Sequence, residues 1–537
     1  MRSMRRVLQQ PDYLAFALAA AAVVLALACS RYGASIGGDG VGYVMASRNL
    51  LAGYGLSWVG AAGDIRPMTI FGPLFPLLLS ALGLLGIDAL VGARVLNAFL
   101  FGVNAGMVYV LLRGSSRARG IAVLGMLLFV FFPPVLGLHT GVQSEPIFLM
   151  LLLLETLALT RVLQMSSRGW LLVAAIAAGL GYLARYAGLA FIASGALAGL
   201  TWPKHPWRQR IRQVILFVAV AAIPVAYWMA RNAAVGGSAT ERVLDFEPLA
   251  KSLIVLIADL VTYWFLPDRV PLAIRTLILL LGIGCLTAAW LLTRRADHVV
   301  GGGANRDPGP WALERIAAWG VAVYAGQVLI SRVFLLPRIS LDQRILAPVW
   351  LLSTLLLLEV VDGLYQRSRP AVAKLAAAML ILWTGFYLVR GTIRALELQV
   401  DGVGFASRAW RTSPLINAMS LLPGDTPVYT NEVEGVYLLA GRRVYRLPTG
   451  CLPFDALVVF EPGTECRTPE YLTWVANMDR ALERDRAVLA VFNTYRDFPY
   501  YSSLVPEMVE GLDVLTSQGD GKLYVYDRDE WPDNPNW

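Results

Sequence analysis

Taken from its amino acids alone, the chain should fold as an α-helical polytopic membrane protein. About eleven transmembrane helices are expected, followed by an α/β domain outside the membrane. Three features lead there. Of the 537 residues, 57% are hydrophobic and only 16% are charged, whereas a soluble domain carries about a quarter charged. The apolar residues fall in runs of about 16–24, which at 1.5 Å of rise per residue suits a hydrocarbon core about 30 Å thick. Basic residues recur at every second connection between these runs. The net charge of +8 is then explained by cytoplasmic loops, and no basic, aromatic-interleaved face argues for nucleic acid.

The first run, in "MRSMRRVLQQPDYLAFALAAAAVVLALACS", has a basic start and could be mistaken for a cleaved signal or lipoprotein signal. Ala26 stands where a lipobox takes leucine, and further spans follow, so the segment reads as an uncleaved signal anchor over about 12–30. The run "PLFPLLLSALGLLG" at 73–86 is too short and too proline-rich to span, and should lie at the surface. Spans are then expected at 88–112, 119–137, 145–163, 170–184, 187–202, 213–230, 271–293, 314–334, 344–363 and 373–394. Cys29 and Cys285 fall within spans and read as packing residues.

Arg2, Arg5 and Arg6, with the loops "RGSSRARG", "RVLQMSSRG", "KHPWRQRIRQ", "RRADHVVGGGANRDPG" and "YQRSRPAVAK", fit a cytoplasmic N-terminus under the positive-inside rule. An odd span count places everything after about residue 396 outside. The expected division is a transmembrane domain over 1–398, with long outer loops at 31–87 and 232–270, and an extracytoplasmic α/β domain over 399–537. In the latter, "TPVYTN", "RRVYRLP", "DALVVFEP", "AVLAVFN" and "KLYVYD" read as strands. "EVEGVYLLAG" and "TPEYLTWVANMDRALERD" read as helices between them. Cys451 and Cys466 lie in this domain, where a disulfide and two free thiols are both open readings.

With sides assigned, ionisable groups of both signs gather at the outer ends of separate spans. They are Asp39, Glu145, Arg185, Arg231, Asp342 and Arg344. Any one of them read alone is a side chain snorkelling into headgroups. Carboxylates beside arginines at a bilayer surface also suit a substrate with a phosphate and a hydroxyl, because guanidinium presents a planar fork of donors to phosphate oxygens. Asp39, in "SIGGDGVGYVMASRNLLAGYGLSW", is either a turn-forming residue in an idle glycine-rich connector or part of the floor of an active site at the membrane surface. The loop at 232–270 has helical periodicity and reads as a surface helix able to cover a site. Histidine is scarce; of His139, His205 and His298 only His139 is placed on the outer side, which excludes a histidine-rich metal site.

"GGDGVGYVMASRNLLAGYGLSW", "FGPLFPLLLSALGLLG" and "ARVLN" together resemble the first outer loop of GT-C superfamily glycosyltransferases, in the bacterial protein O-mannosyltransferase and aminoarabinose-transferase group. "QSEPIFLMLLLLE", "LARYAGL", "WMARNAAVGG" and "LDQRILAP" resemble later segments of that group, in the same order. The resemblance covers roughly 30–350. It implies a GT-C-type membrane domain that transfers a sugar, with inversion, from a polyprenyl-phosphate donor to a hydroxyl outside the cytoplasmic membrane. Asp39 would be the catalytic base. Glu145, Arg185, Tyr186, Arg231, Asn232, Asp342 and Arg344 would bind substrate. Many relatives carry two adjacent acids in the first loop, whereas glycines flank Asp39 here. No cofactor is required by the sequence, and a divalent metal is possible but unsupported.

Other classes compete with this reading. A secondary transporter would place charges near the bilayer midplane with inverted repeats, and no repeat is evident. A non-catalytic lipid-binding or scaffold protein of the same fold, and a glycan polymerase or ligase using lipid-diphosphate donors, also fit the outer-face arginines. Protein, lipid and cell-wall glycan acceptors stay open.

Overall fold

A computed structural model describes residues 12–59, 65–115, 119–202, 205–236, 238–240, 242–246, 251–300, 309–336, 338–367, 370–442, 444–448, 469–497 and 499–532. It divides into two compact units. One comprises Met1–Cys29, Thr69–Leu78 and Gly92–Glu397; the other comprises Ser30–Met68, Leu79–Val91 and Leu398–Trp537.

The first unit is a helical bundle, and a helix occupies each segment expected to span. Ala89–Ser115, Glu145–Met165, Trp207–Gly236, Ala312–Phe334 and Lys374–Val400 are long and apolar enough to cross a membrane. A sixth span results if Arg119–Phe131 and Pro133–His139, bent by 66°, are one broken helix. The bend sits where Pro133 has no N–H to give the preceding turn. Among the described residues the expected eleven spans are therefore not established. Tyr13–Cys29 and Arg168–Ala184 have 17 residues each, which at 1.5 Å per residue falls short of a core about 30 Å thick. The chain is nonetheless a multi-pass membrane protein of helical type. Its interior includes Phe132 stacked on Trp350 at 3.8 Å, with Tyr387 edge-on to Phe132 at 5.4 Å.

Two pieces of this unit lie outside the spans and matter below. The short strand Val243–Leu244 pairs antiparallel with Leu335–Leu336. The helix expected in the second long outer loop is Lys251–Thr262, which leaves Ile254, Val255 and Leu256 exposed.

The second unit is built on a five-stranded mixed sheet. Its order is Val444–Arg446, Val428–Thr430, Val488–Phe492, Gly521–Val525, Asp513–Gln518, with the first three strands parallel. Alternation along Val488–Phe492 sends Val488, Ala490 and Phe492 into one apolar cluster and Leu489 and Val491 into another. The helix Pro414–Ser420 closes the first cluster and Pro469–Arg484 the second, so both faces of the sheet are covered. The strand expected in "DALVVFEP", and with it Cys451 and Cys466, lies outside the described residues. The strand Asp513–Gln518 was not anticipated.

Part of the first outer loop folds into this second unit. Phe405 N–H donates to the Ile36 carbonyl at 3.0 Å, beside a parallel bridge between Ile36 and Gly404. Gly404 has φ +63°, and a Cβ there would come within 2.3 Å of the Ile36 oxygen, so only glycine fits. Arg48 and Asp88 form an ion pair at 3.0 Å in the same unit.

Candidate functional site

Within the helical unit, polar residues that the sequence scatters over two hundred positions meet at helix ends. Glu145 opens the helix Glu145–Met165, with Pro146 in its first turn. Arg185 ends Arg168–Ala184 in an extended conformation, φ −154°, and is followed by the short 3₁₀ turn Tyr186–Gly188. That turn lies hard against the helix it leaves. A Cβ on Gly188 would sit 2.2 Å from the backbone of Gly181, so a side chain there would push the turn away. Arg344 precedes the helix Ala347–Arg367.

These three side chains form a charged group. Arg185 Nη1 lies 2.6 Å from Glu145 Oε1 and donates to Ser144 Oγ at 3.2 Å. Arg344 Nε lies 3.3 Å from the same Oε1, and its Nη1 donates to Gln143 Oε1 at 3.2 Å. The Glu145 side chain is only 4% exposed, against 16% for Arg185 and 29% for Arg344. One buried carboxylate therefore holds two guanidinium charges. Asp342, 4.0 Å from Arg344 Nε and 44% exposed, interacts with that guanidinium only weakly. Its Oδ1 accepts from Ile345 N–H at 2.8 Å, making a local turn before the helix. The group gathers two guanidinium forks on one carboxylate at helix ends, a donor set that suits an anion.

Two asparagines of Ala89–Ser115 hold the turn that carries Glu145. Asn97 Nδ2 donates to the carbonyls of Gly141 at 2.7 Å and Gln143 at 3.0 Å, and Asn104 Nδ2 donates to that of Pro146 at 2.9 Å. His139, placed on the outer side by the sequence, is a buried core residue: it is 1% exposed, between Asn104 at 3.0 Å and the Phe101 ring.

A second group, of hydroxyl, indole and amide with Arg231 at its edge, surrounds Tyr186. Its hydroxyl donates to the carbonyl of Thr69 and lies 3.3 Å from that of Phe71; it accepts from Trp228 Nε1 and from Asn232 Nδ2, each at 3.0 Å. Asn232, fully buried, also donates to the carbonyls of Thr69 at 3.3 Å and Ala239 at 3.2 Å. Arg231 donates to Asn232 Oδ1 at 3.1 Å and stacks 4.7 Å from the Trp228 ring centre. Tyr186 and Asn232 thus hold the backbone at Thr69–Phe71. Arg242, which the sequence reading passed over, feels Tyr186 from outside the spans, and burial pushes its guanidinium below the ordinary value.

Asp39 belongs to the other unit. It is the first residue of the helix Asp39–Leu51, after Gly38 at φ +41°, and is half-buried. The glycine-rich stretch is therefore a helix entry, with an acid in the turn where the helix dipole favours one. Among the described residues no group of three or more His, Cys, Asp or Glu side chains is arranged to hold a metal ion.

Comparison with known proteins agrees with this architecture. Residues 69–228 match the family described as dolichyl-phosphate-mannose-protein mannosyltransferase, a stretch that includes Glu145, Arg185 and Tyr186. No curated protein matches the chain. Among solved structures, ArnT from Cupriavidus metallidurans bound to undecaprenyl phosphate is similar at TM-score 0.51 and 13% identity, covering 96% of this chain and 98% of its own. The archaeal oligosaccharyltransferase AglB from Archaeoglobus fulgidus, in complex with an inhibitory peptide and a dolichol-phosphate, gives TM-score 0.50 and 13% identity over 97% and 75%. The arabinofuranosyltransferase AftD from Mycobacteria gives 0.52 and 14% over 96% and 40%. The likeness is one of fold: the fold of this chain is that of these three proteins.

Proposed function

We propose that the chain is an integral-membrane glycosyltransferase that moves a sugar from a polyprenyl-phosphate donor to a hydroxyl acceptor, with inversion, on the outer face of the cytoplasmic membrane. The observation that supports this reading is the pair of guanidinium groups, Arg185 and Arg344, gathered on buried Glu145, in a fold whose solved examples include proteins bound to lipid phosphates. Arg344 and Arg231 are the proposed donor-phosphate contacts, with Arg185 the next candidate. Tyr186 and Asn232 act through the segment they hold, and Asp342 through its turn and Arg344.

In this mechanism the acceptor oxygen attacks the anomeric carbon as the bond to the phosphate oxygen breaks. The acceptor proton passes to the carboxylate of Asp39, the proposed base. The polyprenyl phosphate leaves with both electrons of the broken bond, and the arginines offset its growing negative charge. A phosphate leaves without a proton, so one carboxylate suffices where a glycosidase needs two. Residues 31–70, 232–268 and 400–537 would lie outside, and the N-terminus and loops 113–119, 204–212 and 294–315 inside.

A transfer assay with defined radiolabelled polyprenyl-phosphate sugars tests the activity. Label passing to a hydroxyl acceptor is expected, and Asp39→Asn should lower turnover by about 10²–10⁴-fold without loss of donor binding. Transfer at the wild-type rate by the Asn variant would remove Asp39 from the mechanism. In a cysteine-free background, cysteines at 64 and 520 should react with a membrane-impermeant thiol reagent in intact cells. One at 209 should react only after permeabilisation, and protection of position 64 would contradict an outward-facing site.

A further inference from the structure

We propose that Gln343 is a positioning residue that ties the place of Arg344 to the outer-loop helix Lys251–Thr262. This rests on reading Arg344 as a contact to the donor phosphate. Gln343 and Arg344 are neighbours in the turn before Ala347–Arg367, and they reach to different partners. Arg344 turns to Glu145 and Gln143. Gln343 turns to the outer loop: its Oε1 accepts from Trp264 Nε1 at 2.7 Å, and its Nε2 donates to the Leu260 carbonyl at 2.7 Å. Leu260 lies in the last turn of Lys251–Thr262, where helix carbonyls lack intrahelical partners. The glutamine amide thus caps that helix and grips the indole that follows it.

Only glutamine meets both demands at this reach. Glutamate would set a second acceptor against the Leu260 carbonyl. An apolar residue would leave the Trp264 N–H and the carbonyl without it, and Trp264 is 3% exposed. The loop side of the contact is itself fixed. Trp264's carbonyl accepts from Trp383 Nε1 at 3.4 Å and from the Tyr387 hydroxyl. Arg390 donates to the Tyr263 carbonyl at 2.9 Å and lies 3.9 Å over its ring. Arg275 pairs with Asp259 at 2.5 Å. A helix anchored this firmly at its C-terminal end, bonded to the residue next to Arg344, sets where that guanidinium can lie. Displacing the helix, whose outer face is the apolar Ile254, Val255 and Leu256, would move the phosphate contact with it.

The test uses the purified full chain, undecaprenyl phosphate as probe, and the variants Gln343→Met, Trp264→Phe and Arg344→Ala, singly and combined. Gln343→Met should weaken binding roughly tenfold, and Trp264→Phe, which removes the N–H together with the pyrrole half of the indole, by at least about threefold. Both effects should shrink to less than about twofold in the Arg344→Ala background, because a residue acting through Arg344 has nothing left to position. Hydrogen exchange gives a readout independent of any ligand. Gln343→Met should speed exchange in 251–266 and also in the turn 141–146 that faces Arg344. Equal losses of affinity in both backgrounds, or faster exchange confined to 251–266, would overturn the coupling. Coupled exchange in a wild-type chain that does not bind undecaprenyl phosphate would support the coupling and sink the donor reading alone. Trp264→Phe leaves Gln343 in place and keeps an aromatic ring, so its comparison with and without Arg344→Ala decides the matter even where Gln343→Met fails to fold.

Discussion

Two polar networks lie at helix ends in the same unit and differ in one respect. Around Tyr186 a hydroxyl, an indole and an amide are bonded to one another and to the backbone at Thr69–Phe71, with Arg231 joined to them through Asn232. Around Glu145 two guanidinium groups share one buried carboxylate. A network of neutral donors and acceptors fixes a chain segment, and its worth is geometric. Two guanidinium groups gathered at one place present forks of donors that suit a phosphate.

The comparison is most exposed at Glu145. Glu145→Ala leaves both arginines without their shared carboxylate, and should destabilise the chain by about 3–5 kcal/mol. Thermal unfolding in detergent measures this. Recovery of most of that loss on adding an anionic lipid phosphate would sharpen the picture, and a loss under about 1 kcal/mol would show that the carboxylate does not hold the arginines. The neutral network should respond less. Asn232→Leu deprives the Thr69 and Ala239 carbonyls of a donor at a fully buried site, at a cost of about 1–3 kcal/mol. An anionic lipid phosphate should stabilise this variant no more than it stabilises the wild type. A larger gain for Asn232→Leu than for the wild type would erase the distinction between the two networks.

The smallest effect separates acids by the partner they are given. Glu432, in the second unit, meets the Thr494 hydroxyl rather than arginines at hydrogen-bonding distance, and burial raises its carboxyl above the ordinary 4.5. A raised folded value means the folded state holds the proton more tightly than the unfolded chain. The stability it contributes is present below the unfolded value and is lost as pH rises through the folded one. The stability of the sheet unit should therefore fall slightly as pH climbs from about 4 upward, and Glu432→Gln should remove that component. An unchanged pH profile in the Gln variant would assign the slope elsewhere.

The sequence shows where the helices lie and which ends carry charge, because apolar runs and alternating basic loops are local signals. Glu145, Arg185 and Arg344 were legible as outer-end charges in this way, and the structure brings them together. Their neutral partners were not. Gln143, Gln343 and Trp264 are ordinary residues in the chain, and they acquire roles only through contacts across 79–201 positions. Asn97 and Asn104 left a trace, two amides seven apart in an apolar helix, which is a spacing that puts both on one face. Apolar character alone does not distinguish a helix that crosses from one too short to do so, and among the described residues five helices, or six with the bent pair, are long enough. Asp39 was placed in a loop because its glycines read as turn residues, yet Gly38 alone makes the turn and the helix begins at once. The strand Asp513–Gln518 was missed because "DVLTSQ" turns only Leu515 and Thr516 inward, too few for a clear alternation.

The most direct measurement compares equilibrium binding of undecaprenyl phosphate with that of undecaprenol, which shares the hydrocarbon and lacks the phosphate. If the arginines around Glu145 form the donor-phosphate site, the wild-type chain should prefer the phosphate by at least about tenfold. Arg344→Lys, which keeps the charge and loses the fork, should give up most of that preference. Equal affinity for the two lipids, or a preference untouched when Arg344 and Arg185 are both changed to lysine, would contradict it.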